Sequence, residues 1–531
     1  MALRYLIFQI LACFIIVLAI IMPFSNAQLI IPTKNGLVSG KTIITNDRTQ
    51  FAYFGIPYAQ PPINELRFKP PVPVKSWNGV LNATQCQYTC PQRLPLDFYT
   101  EPNSLASKTS EDCLYLNIFT SNPSRAGNMS VLFYIHGGGY RGGSGARWGG
   151  QILAAHEDIV VVTINYRIGI LGFMTSGEED IAKRAILANN GLKDQSLALQ
   201  WVKDNIENFG ALTVQQLISL QNIQRPNNIA LSFPVADAST IREALHTAIP
   251  AGRFHKVSIM MGTTLNDGYF GLLGLPNPGS VAQGIPRQGF IAITNNAFPF
   301  ASQRVKLSIQ YQYTNWSNFN SPISNRDQYG ELFNDFVFAI PNEYYAEQFS
   351  RYVPTFNYIF AHRTSGTYRP AYLKVVHTME VPYVFGYPVD NPAGFPTTFN
   401  AEEQELSRHI MSYWGSFIRN GNPTDLNSPI TWLKYTQDTR QHLWIAPNFR
   451  ITSNHFATQT AFWNQYLPQI AMQRTHATVT PANRTTPIKP HSSESVYMIP
   501  TFVLSGLSGL LLIIAVILFC KMNRAKRVYV N

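Results

Sequence analysis

Apolar residues in the middle of the chain follow two alternating patterns. Short, uninterrupted apolar runs rich in β-branched residues are typical of strands buried on both faces of a parallel sheet. Between these runs the apolar residues recur at the helical period, as in "WGGQILAAHED" at 148–158. The alternation predicts an α/β architecture with a mostly parallel central sheet flanked by helices. The predicted strands are "VLFYI" (131–135), "IVVVTI" (159–164) and "VSIMMG" (257–262).

The clearest helical pattern lies between Asp194 and Gly210. An aspartate is a favourable helix cap, and a glycine commonly ends a helix. After Gly210 the sequence continues as "ALTVQQL" at 211–217. The pattern predicts a helix that starts at Asp194 and stops at Gly210. Its buried face is formed by Leu197, Trp201, Val202 and Ile206.

The two ends of the chain carry targeting signals. Residues 1–27 contain Arg4, an apolar run and small residues up to Ala27, which predicts a cleaved secretory signal peptide, with an uncleaved anchor as the alternative. Val496–Cys520 has no charged residue and is long enough to cross a hydrocarbon core of about 30 Å as a helix. The tail at 521–531 is basic, which is typical of the cytoplasmic side. We therefore expect a single-pass type I membrane protein of the secretory pathway.

The part of the chain between these signals reads as one large domain on a stalk. Residues 469–495 are rich in Thr, Ser and Pro, which suits a solvated stalk. Residues 28–468 belong to a chain of 531 residues that is 45% apolar and 13% charged, enough for a large core. Part of the net charge of +11 lies in the tail, and the other basic residues are scattered. A solvated surface is therefore favoured over a nucleic-acid partner.

Three cysteines lie in the extracellular or lumenal part of the predicted topology. They are Cys86, Cys90 and Cys113, whereas the two others fall in the signal peptide and the membrane helix. Three thiols in an oxidising compartment cannot all pair within one chain. Acceptor triplets for N-glycosylation agree with secretion. They begin at Asn82, Asn128, Asn315 and Asn483.

A glycine-rich loop follows the first predicted strand. In His136–Gly139 the missing side chains would let backbone N–H groups converge on an oxygen atom, as in an oxyanion hole, although a plain loop is the alternative. The same stretch fits Gly-x-Gly-x-x-Gly, but the glycines continue to Gly145 where a helix should begin, so a dinucleotide site is not predicted. We expect neither a cofactor nor a metal ion.

Long motifs in a consistent order resemble the type B carboxylesterases, the cholinesterase-like branch of the α/β-hydrolase fold. The resemblance covers nearly all of residues 28–468 and implies that fold. The motifs are "FGIPYAQPPINELRFKPP" (54–71), "SEDCLYLNIF" (110–119), "YIHGGGYRGGSG" (134–145), "NYRIGILGF" (165–173), "NNGLKDQSLALQWVKDNIENFG" (189–210) and "YWGSFIRNGNPT" (413–424).

The resemblance implies roles for a few residues. Gly138 and Gly139 resemble the oxyanion donors of the family, and His377 resembles its catalytic base, with Thr378 where a glycine is usual. Asp267 stands where the family places the acid that orients the histidine, which is more often a glutamate. Without the family, His377 could be an ordinary hydrogen-bonded histidine, and residues 266–268 could be a turn.

The resemblance also implies structural pairs. Cys90 and Cys113 resemble the ends of the first disulfide loop of the family, which leaves Cys86 as a spare thiol. Arg67 and Glu111 resemble a buried ion pair of the family. These pairs concern the stability of the domain, and none of these residues has a predicted part in chemistry.

The nucleophile of the family is absent from this chain. A family member runs from "NFG" into a strand and the elbow Gly-x-Ser-x-Gly, whereas here "NFG" runs into "ALTVQQL". No serine in the chain has the elbow pattern: Ser144 has Gly142 two residues before it but Ala146 two residues after it, and Ser508 has Gly506 two residues before it but Leu510 two residues after it. The sequence resembles the family again from a point several dozen residues further on. A whole segment is therefore predicted to be missing after Gly210.

Two consequences follow from the missing segment. The nucleophilic serine and the N–H group after it are both gone, so we expect no ester hydrolysis by this chain. The lost strand belongs to the middle of the sheet, so its neighbours should face a gap. We interpret the sequence as an exon-skipped isoform or an incomplete gene model.

Two classes of function stay open. As an esterase-family protein, the complete parent would hydrolyse a small carboxylic ester at a serine while tethered to a membrane. As a recognition protein, the chain would resemble the neuroligins, which keep this fold on a single-pass anchor without catalysis and bind a protein partner. The glycine loop, His377 and Asp267 favour the first class, and the missing serine favours the second.

Overall fold

This computed structural model describes the large domain with several gaps. The predicted signal peptide at 1–27 and the tail at 521–531 lie outside the described residues, as does nearly all of the predicted stalk. The described ranges are 30–45, 47–92, 108–123, 129–174, 189–211, 240–241, 245–275, 278–392, 395–472 and 516–517.

Strands and helices alternate along the domain. The strands are β1 Ile30–Thr33, β2 Gly36–Ser39, β3 Lys41–Thr45, β4 Arg48–Pro57, β5 Val80–Asn82, β6 Tyr115–Thr120, β7 Val131–Ile135, β8 Val160–Ile164, β9 Ile259–Thr264, β10 Thr355–Phe360, β11 Gln441–Ile445, β12 Arg450–Ser453 and β13 Val516–Ile517. The α-helices are α1 Gln151–Glu157, α2 Gly169–Phe173, α3 Asn190–Asn205, α4 Leu245–Ala248, α5 Pro278–Val281, α6 Arg287–Ala297, α7 Gln303–Gln312, α8 Pro322–Asn334, α9 Ile340–Ser350, α10 Val381–Val384, α11 Ala401–Asn420, α12 Ala457–Ala461 and α13 Leu467–Met472.

Two mixed sheets form the centre of the domain. One has the strand order β13-β7-β8-β6-β4-β3, and the other has the order β12-β11-β10-β9. Parallel pairing is confined to β7 with β8 and to β9, β10 and β11, whereas the remaining pairs of these two sheets are antiparallel. The prediction of a mostly parallel sheet was therefore wrong. The uninterrupted apolar runs predicted parallel central strands, whereas the antiparallel outer strands were not predicted from this pattern.

Among the described residues, no hydrogen-bonded strand joins the two sheets. Strands β7 and β9 belong to different sheets, as expected if a strand that should lie between them is missing. At the end of the helix before the junction, Met129 donates its N–H to the carbonyl of Gly210 (3.3 Å), and Ala211 forms a parallel bridge with Met129. The chain thus starts to run parallel to the segment that leads into β7. The described residues stop at Ala211 and resume at residue 240.

The outer edge of β7 has a short partner from the C-terminal region. Val516–Ile517 pairs antiparallel with Phe133 and Leu132. These two residues are the described part of the predicted membrane segment 496–520, and here they are strand and not helix. Among the residues that the structure describes, no helix is both long enough and apolar enough to span a bilayer.

One of the hydrophobic clusters of the domain joins the two sheets. It includes Leu132 and Tyr134 of β7 together with Met260 of β9 and Tyr358 of β10. All five residues of β7 and all five of β8 are buried, which is the pattern expected from their uninterrupted apolar sequences. The sheets therefore share one interior although they do not share a hydrogen-bonded ladder.

Helix α3 begins earlier than predicted, at Asn190 and not at Asp194. Asp194 lies inside the helix and is fully buried, because its carboxylate binds Arg167 at the end of β8. The guanidinium donates from Nε and Nη2 to the two carboxylate oxygens at 2.8 and 2.7 Å, and the backbone N–H of Arg167 adds a third bond at 2.9 Å. The cap prediction for Asp194 was wrong for this reason. The predicted stop is present, since Gly210 has a φ of +91° after a final 3₁₀ turn.

We predict that Asp194→Asn lowers the free energy of unfolding by about 3 to 5 kcal/mol, because it leaves the buried Arg167 without a counter-charge. Urea unfolding followed by circular dichroism measures the change. The matched control is Glu111→Gln, which removes the partner of the exposed Arg67 and should change stability little. Equal effects of the two substitutions would contradict the prediction.

Candidate active site

His377 and Asp267 lie together at the carboxyl end of β9. The imidazole Nδ1 is 2.5 Å from Oδ1 of Asp267, whose other oxygen accepts the N–H of Thr264 at 2.8 Å. The loop that carries His377 is tied to β9, because Val375 accepts hydrogen bonds from Thr264 and Asn266. Asp267 is 2% exposed and His377 is 19% exposed. The carboxylate therefore has the position needed to orient the imidazole.

The histidine ring is flanked by aromatic side chains. Its centroid is 5.2 Å from that of Phe270 and 5.1 Å from that of Phe338. Arg369 donates to the carbonyl of His377 at 2.8 Å and holds the backbone. Within the described part of the chain, Nε2 of His377 has no hydrogen-bond partner. The nitrogen that would activate a nucleophile thus faces none among these residues.

Thr378 occupies a strained backbone position. Its φ is +69°, in the left-handed region where a β-branched residue is rare. This explains why a glycine is usual at this point of the family motif. Arg369 donates from Nη2 to the hydroxyl of Thr378 at 3.1 Å, which helps to hold the strained turn.

The glycine loop after β7 has the conformation that only glycines adopt easily. Gly138 has a φ of +117°, and a Cβ atom placed there would be 2.2 Å from the carbonyl oxygen of Gly142. Gly139 has a φ of +60°. Arg141 and Gly142 both donate to the carbonyl of Gly138, which closes the turn. In the described residues, the N–H groups of Gly138 and Gly139 are not used in backbone hydrogen bonds and can serve a bound oxyanion.

Two side chains fix this loop. Gln92 donates to the carbonyl of Gly143 (3.0 Å) and accepts the N–H of the same residue (2.9 Å). His136 stacks on Tyr166 with a centroid distance of 4.4 Å. Burial lowers the pKa of His136 to about 4, so this ring is neutral at neutral pH. We assign it to the support of the loop and not to proton transfer.

The predicted structural pairs have two different outcomes. The disulfide Cys90–Cys113 is formed. Arg67 and Glu111 form an ion pair with distances of 2.6 and 2.9 Å, but their side chains are 40% and 29% exposed, so the prediction of a buried pair was wrong. Cys86 is a free thiol, and burial raises its pKa to about 12, which makes it a poor nucleophile.

Sequence reasoning missed one carboxyl group of the site. Glu380 is buried, and one of its carboxylate oxygens has no hydrogen-bond partner in the described part of the chain. Burial and the negative charge of Asp267 raise the pKa of Glu380 to about 7, and the positive charge of His377 opposes this. A glutamate inside the apolar run "VVHTMEVPYVFG" at 375–386 was the available signal.

Two of the four predicted glycosylation sites can be described. Asn82 is exposed and its side-chain oxygen accepts hydrogen bonds from the N–H and the hydroxyl of Thr84. Asn315 is also exposed and accepts the N–H of Ser317 at 3.2 Å. Asn128 and Asn483 lie outside the described residues.

Comparison with known proteins establishes the family. The sequence model described as "Carboxylesterase family" matches residues 27–215 and 211–463, which is most of the chain. The chain belongs to the carboxylesterase family. Its match to the carboxylesterase model is divided in two, and the two parts meet at 211–215, where the sequence lacks the elbow. Membership implies the α/β-hydrolase fold.

Curated relatives include enzymes and neuroligins. Neuroligin-3 of Mus musculus is 28% identical over 578 residues, covering 83% of this chain and 69% of the relative. Acetylcholinesterase of Electrophorus electricus is 26% identical, covering 84% and 89%, and that of Danio rerio is 27% identical, covering 84% and 90%. The identities thus do not separate the two groups. Each alignment is longer than the part of this chain it covers, as expected where relatives carry residues that this carboxylesterase chain lacks.

We predict that Glu380→Gln stabilises the protein more at pH 8 than at pH 5, by roughly 1 to 3 kcal/mol. A carboxyl whose pKa is raised in the folded state binds its proton more tightly there than in the unfolded state. Its contribution is therefore full below about pH 4.3, the ordinary value, and is lost as the pH rises through about 7.

Urea unfolding of the unsubstituted chain and of Glu380→Gln at both pH values measures this difference. Glu405→Gln is the matched control, because Glu405 is 56% exposed. A pH-independent difference for Glu380→Gln would show that this carboxyl does not titrate in that range.

Proposed function

We propose that this chain is the ectodomain of a membrane-anchored carboxylesterase whose complete parent hydrolyses carboxylic esters, and that the chain itself is inactive. One observation carries the proposal. The contact between His377 and Asp267 is present, whereas the sequence has no Gly-x-Ser-x-Gly elbow to use it. The base and the acid are in place without the serine that they would activate.

The roles follow from the chemistry of serine esterases. In the complete parent the elbow serine attacks the acyl carbon, while His377 takes its proton at Nε2 and later returns one to the leaving alcohol. Asp267 holds the imidazole through Nδ1 and stabilises its charged form. Gly138 and Gly139 would donate N–H groups to the oxyanion, together with the residue after the serine.

Without the serine these groups have little to act on. His377 could deprotonate only water or a substrate. The members of a catalytic triad work as a unit, so the loss of the nucleophile alone removes nearly all of the activity that the unit supplies. The remaining groups are a vestigial base, an acid and an oxyanion loop.

The origin of the chain follows from the same gap. We propose an exon-skipped isoform or an incomplete gene model. The division of the family match at 211–215 and the separation of β7 from β9 both support a missing internal segment. A simple replacement of the serine would leave the intervening strand in the chain.

Recognition of another protein is the second candidate function. The similarity to neuroligin-3 over 83% of this chain and the missing nucleophile favour it. Under this alternative, an ectodomain without catalysis would bind a protein at a cell surface. The retained contact between His377 and Asp267 would then have no chemical role.

We propose a location in the secretory pathway with the domain extracellular or lumenal. The disulfide Cys90–Cys113 supports an oxidising compartment. The apolar segment 496–520 and the basic residues after it support one membrane helix, which requires Val516–Ile517 to leave their pairing with β7. The partners of the complete parent are then a small ester and the membrane, and a nucleic acid is not expected.

We predict that a fluorophosphonate probe, which labels activated serines, forms no adduct with the 531-residue chain. Ester hydrolysis should equal that of His377→Gln, because the imidazole has no nucleophile to activate. Mass spectrometry of the intact protein and release of p-nitrophenol measure the two outcomes. Electrophorus electricus acetylcholinesterase is the positive control. A stoichiometric adduct on this chain would overturn the assignment as inactive.

We predict that the genomic DNA between the codons for Gly210 and Ala211 contains a coding segment with Gly-x-Ser-x-Gly. Sequencing the gene and its transcripts across this junction provides the measurement. Transcripts with and without the segment indicate an isoform, and transcripts that all contain it indicate an incomplete gene model. A gene without such a segment would mean that the loss is genuine and would favour the recognition function.

A further inference from the structure

Three aromatic side chains form an exposed surface at the end of α7 and just after it. Tyr311, Trp316 and Phe319 are 69%, 53% and 42% exposed. The ring centroids of Tyr311 and Trp316 are 5.3 Å apart, and those of Trp316 and Phe319 are 6.3 Å apart. We call these three residues the aromatic shelf. Contiguous apolar side chains on a solvated surface often mark a binding site.

The central ring of the aromatic shelf is held in place. Trp316 donates its indole N–H to the carbonyl of Tyr311 at 3.2 Å. The guanidinium of Arg287 lies 5.9 Å from the Trp316 ring and donates to the hydroxyl of Thr314 at 2.9 Å. The indole therefore presents a fixed face, which lowers the entropy cost of binding to it.

A glycosylation triplet lies within the aromatic shelf. It consists of Asn315, Trp316 and Ser317, so the acceptor asparagine precedes the central ring directly. The side-chain oxygen of Asn315 accepts the N–H of Ser317, and its Nδ2, the atom that would bear a sugar, has no hydrogen-bond partner among the described residues. Asn315 is exposed, as glycosylation requires.

We propose that the aromatic shelf is the docking surface of an N-linked glycan on Asn315, whose first N-acetylglucosamine units pack on Trp316 and Tyr311. The C–H groups on one face of a sugar ring carry partial positive charge, and the face of an aromatic ring is negative. A tethered sugar also has a high effective concentration at the shelf. The inference rests on the secretory location proposed above.

The triplet decides between this occupant and a second copy of the chain. A dimer that buried the aromatic shelf would have to accommodate a bulky polar glycan at its centre. A glycan attached beside Trp316 covers the same rings and requires no partner. We therefore assign the shelf to the glycan.

The test uses the full chain produced in animal cells and compares it with Asn315→Gln. Peptide mass spectrometry gives glycan occupancy, and hydroxyl-radical footprinting gives the exposure of each aromatic side chain. We expect the oxidation of Trp316 and Tyr311 to rise several-fold in Asn315→Gln. Tyr352 is the internal control, since it is 42% exposed and contacts Lys256 far along the chain from the triplet.

Asn82→Gln is the matched variant, because it removes a glycan acceptor outside the aromatic shelf and should leave the oxidation of Trp316 unchanged. The proposal would be overturned if Trp316 were oxidised equally in Asn315→Gln and in the unsubstituted protein with a glycan on Asn315. So would an empty Asn315 in a protein whose Asn82 is occupied. Protection of the shelf in a sedimenting dimer of Asn315→Gln would assign it to a second copy. Absence of glycan from all four triplets, at Asn82, Asn128, Asn315 and Asn483, would instead contradict the secretory location, and the proposal with it.

Discussion

A strand that is buried on both faces needs hydrogen-bond partners along both of its edges, because no water reaches its backbone. Strand β7 meets this requirement on one side through β8, over all five residues. On the other side the structure shows only Ala211 beside Met129, at the start of the strand, and the pair Val516–Ile517. Every unpaired backbone group there costs free energy comparable to a lost hydrogen bond. Hydrogen bonding along this edge of β7 is therefore the constraint on which the stability of the domain depends.

The base, the acid and the glycine loop of the candidate site are each held by local contacts. Asp267 follows β9, and His377 is fixed by contacts to Thr264 and Asn266 in the same region. The glycine loop depends on Gln92 and on its own turn. None of these contacts uses the segment that we propose is missing after Gly210. The contact between the histidine and the acid therefore depends on β9 and on the loop that carries His377, and not on the region after Gly210.

Much of this arrangement could be predicted from the sequence, and the failures have physical reasons. The apolar run of β7 gave its limits correctly, because its neighbours are polar or glycine. Strand β9 starts two residues later than predicted and continues through Thr263 and Thr264, since its pairing begins where β10 begins, after Pro354. A local pattern does not contain this information. It also cannot show that Asp194 serves Arg167, which is distant in sequence, or that Glu380 lies near Asp267.

Gly138 bears on how such proteins lose their ancestral chemistry. A side chain at this position would collide with the carbonyl oxygen of Gly142, whether or not any oxyanion is ever bound there. Steric exclusion alone would therefore preserve Gly138 in a lineage freed from selection for hydrolysis. A glycine at this position is thus explained by the packing of the loop, in a working esterase and in an inert relative alike.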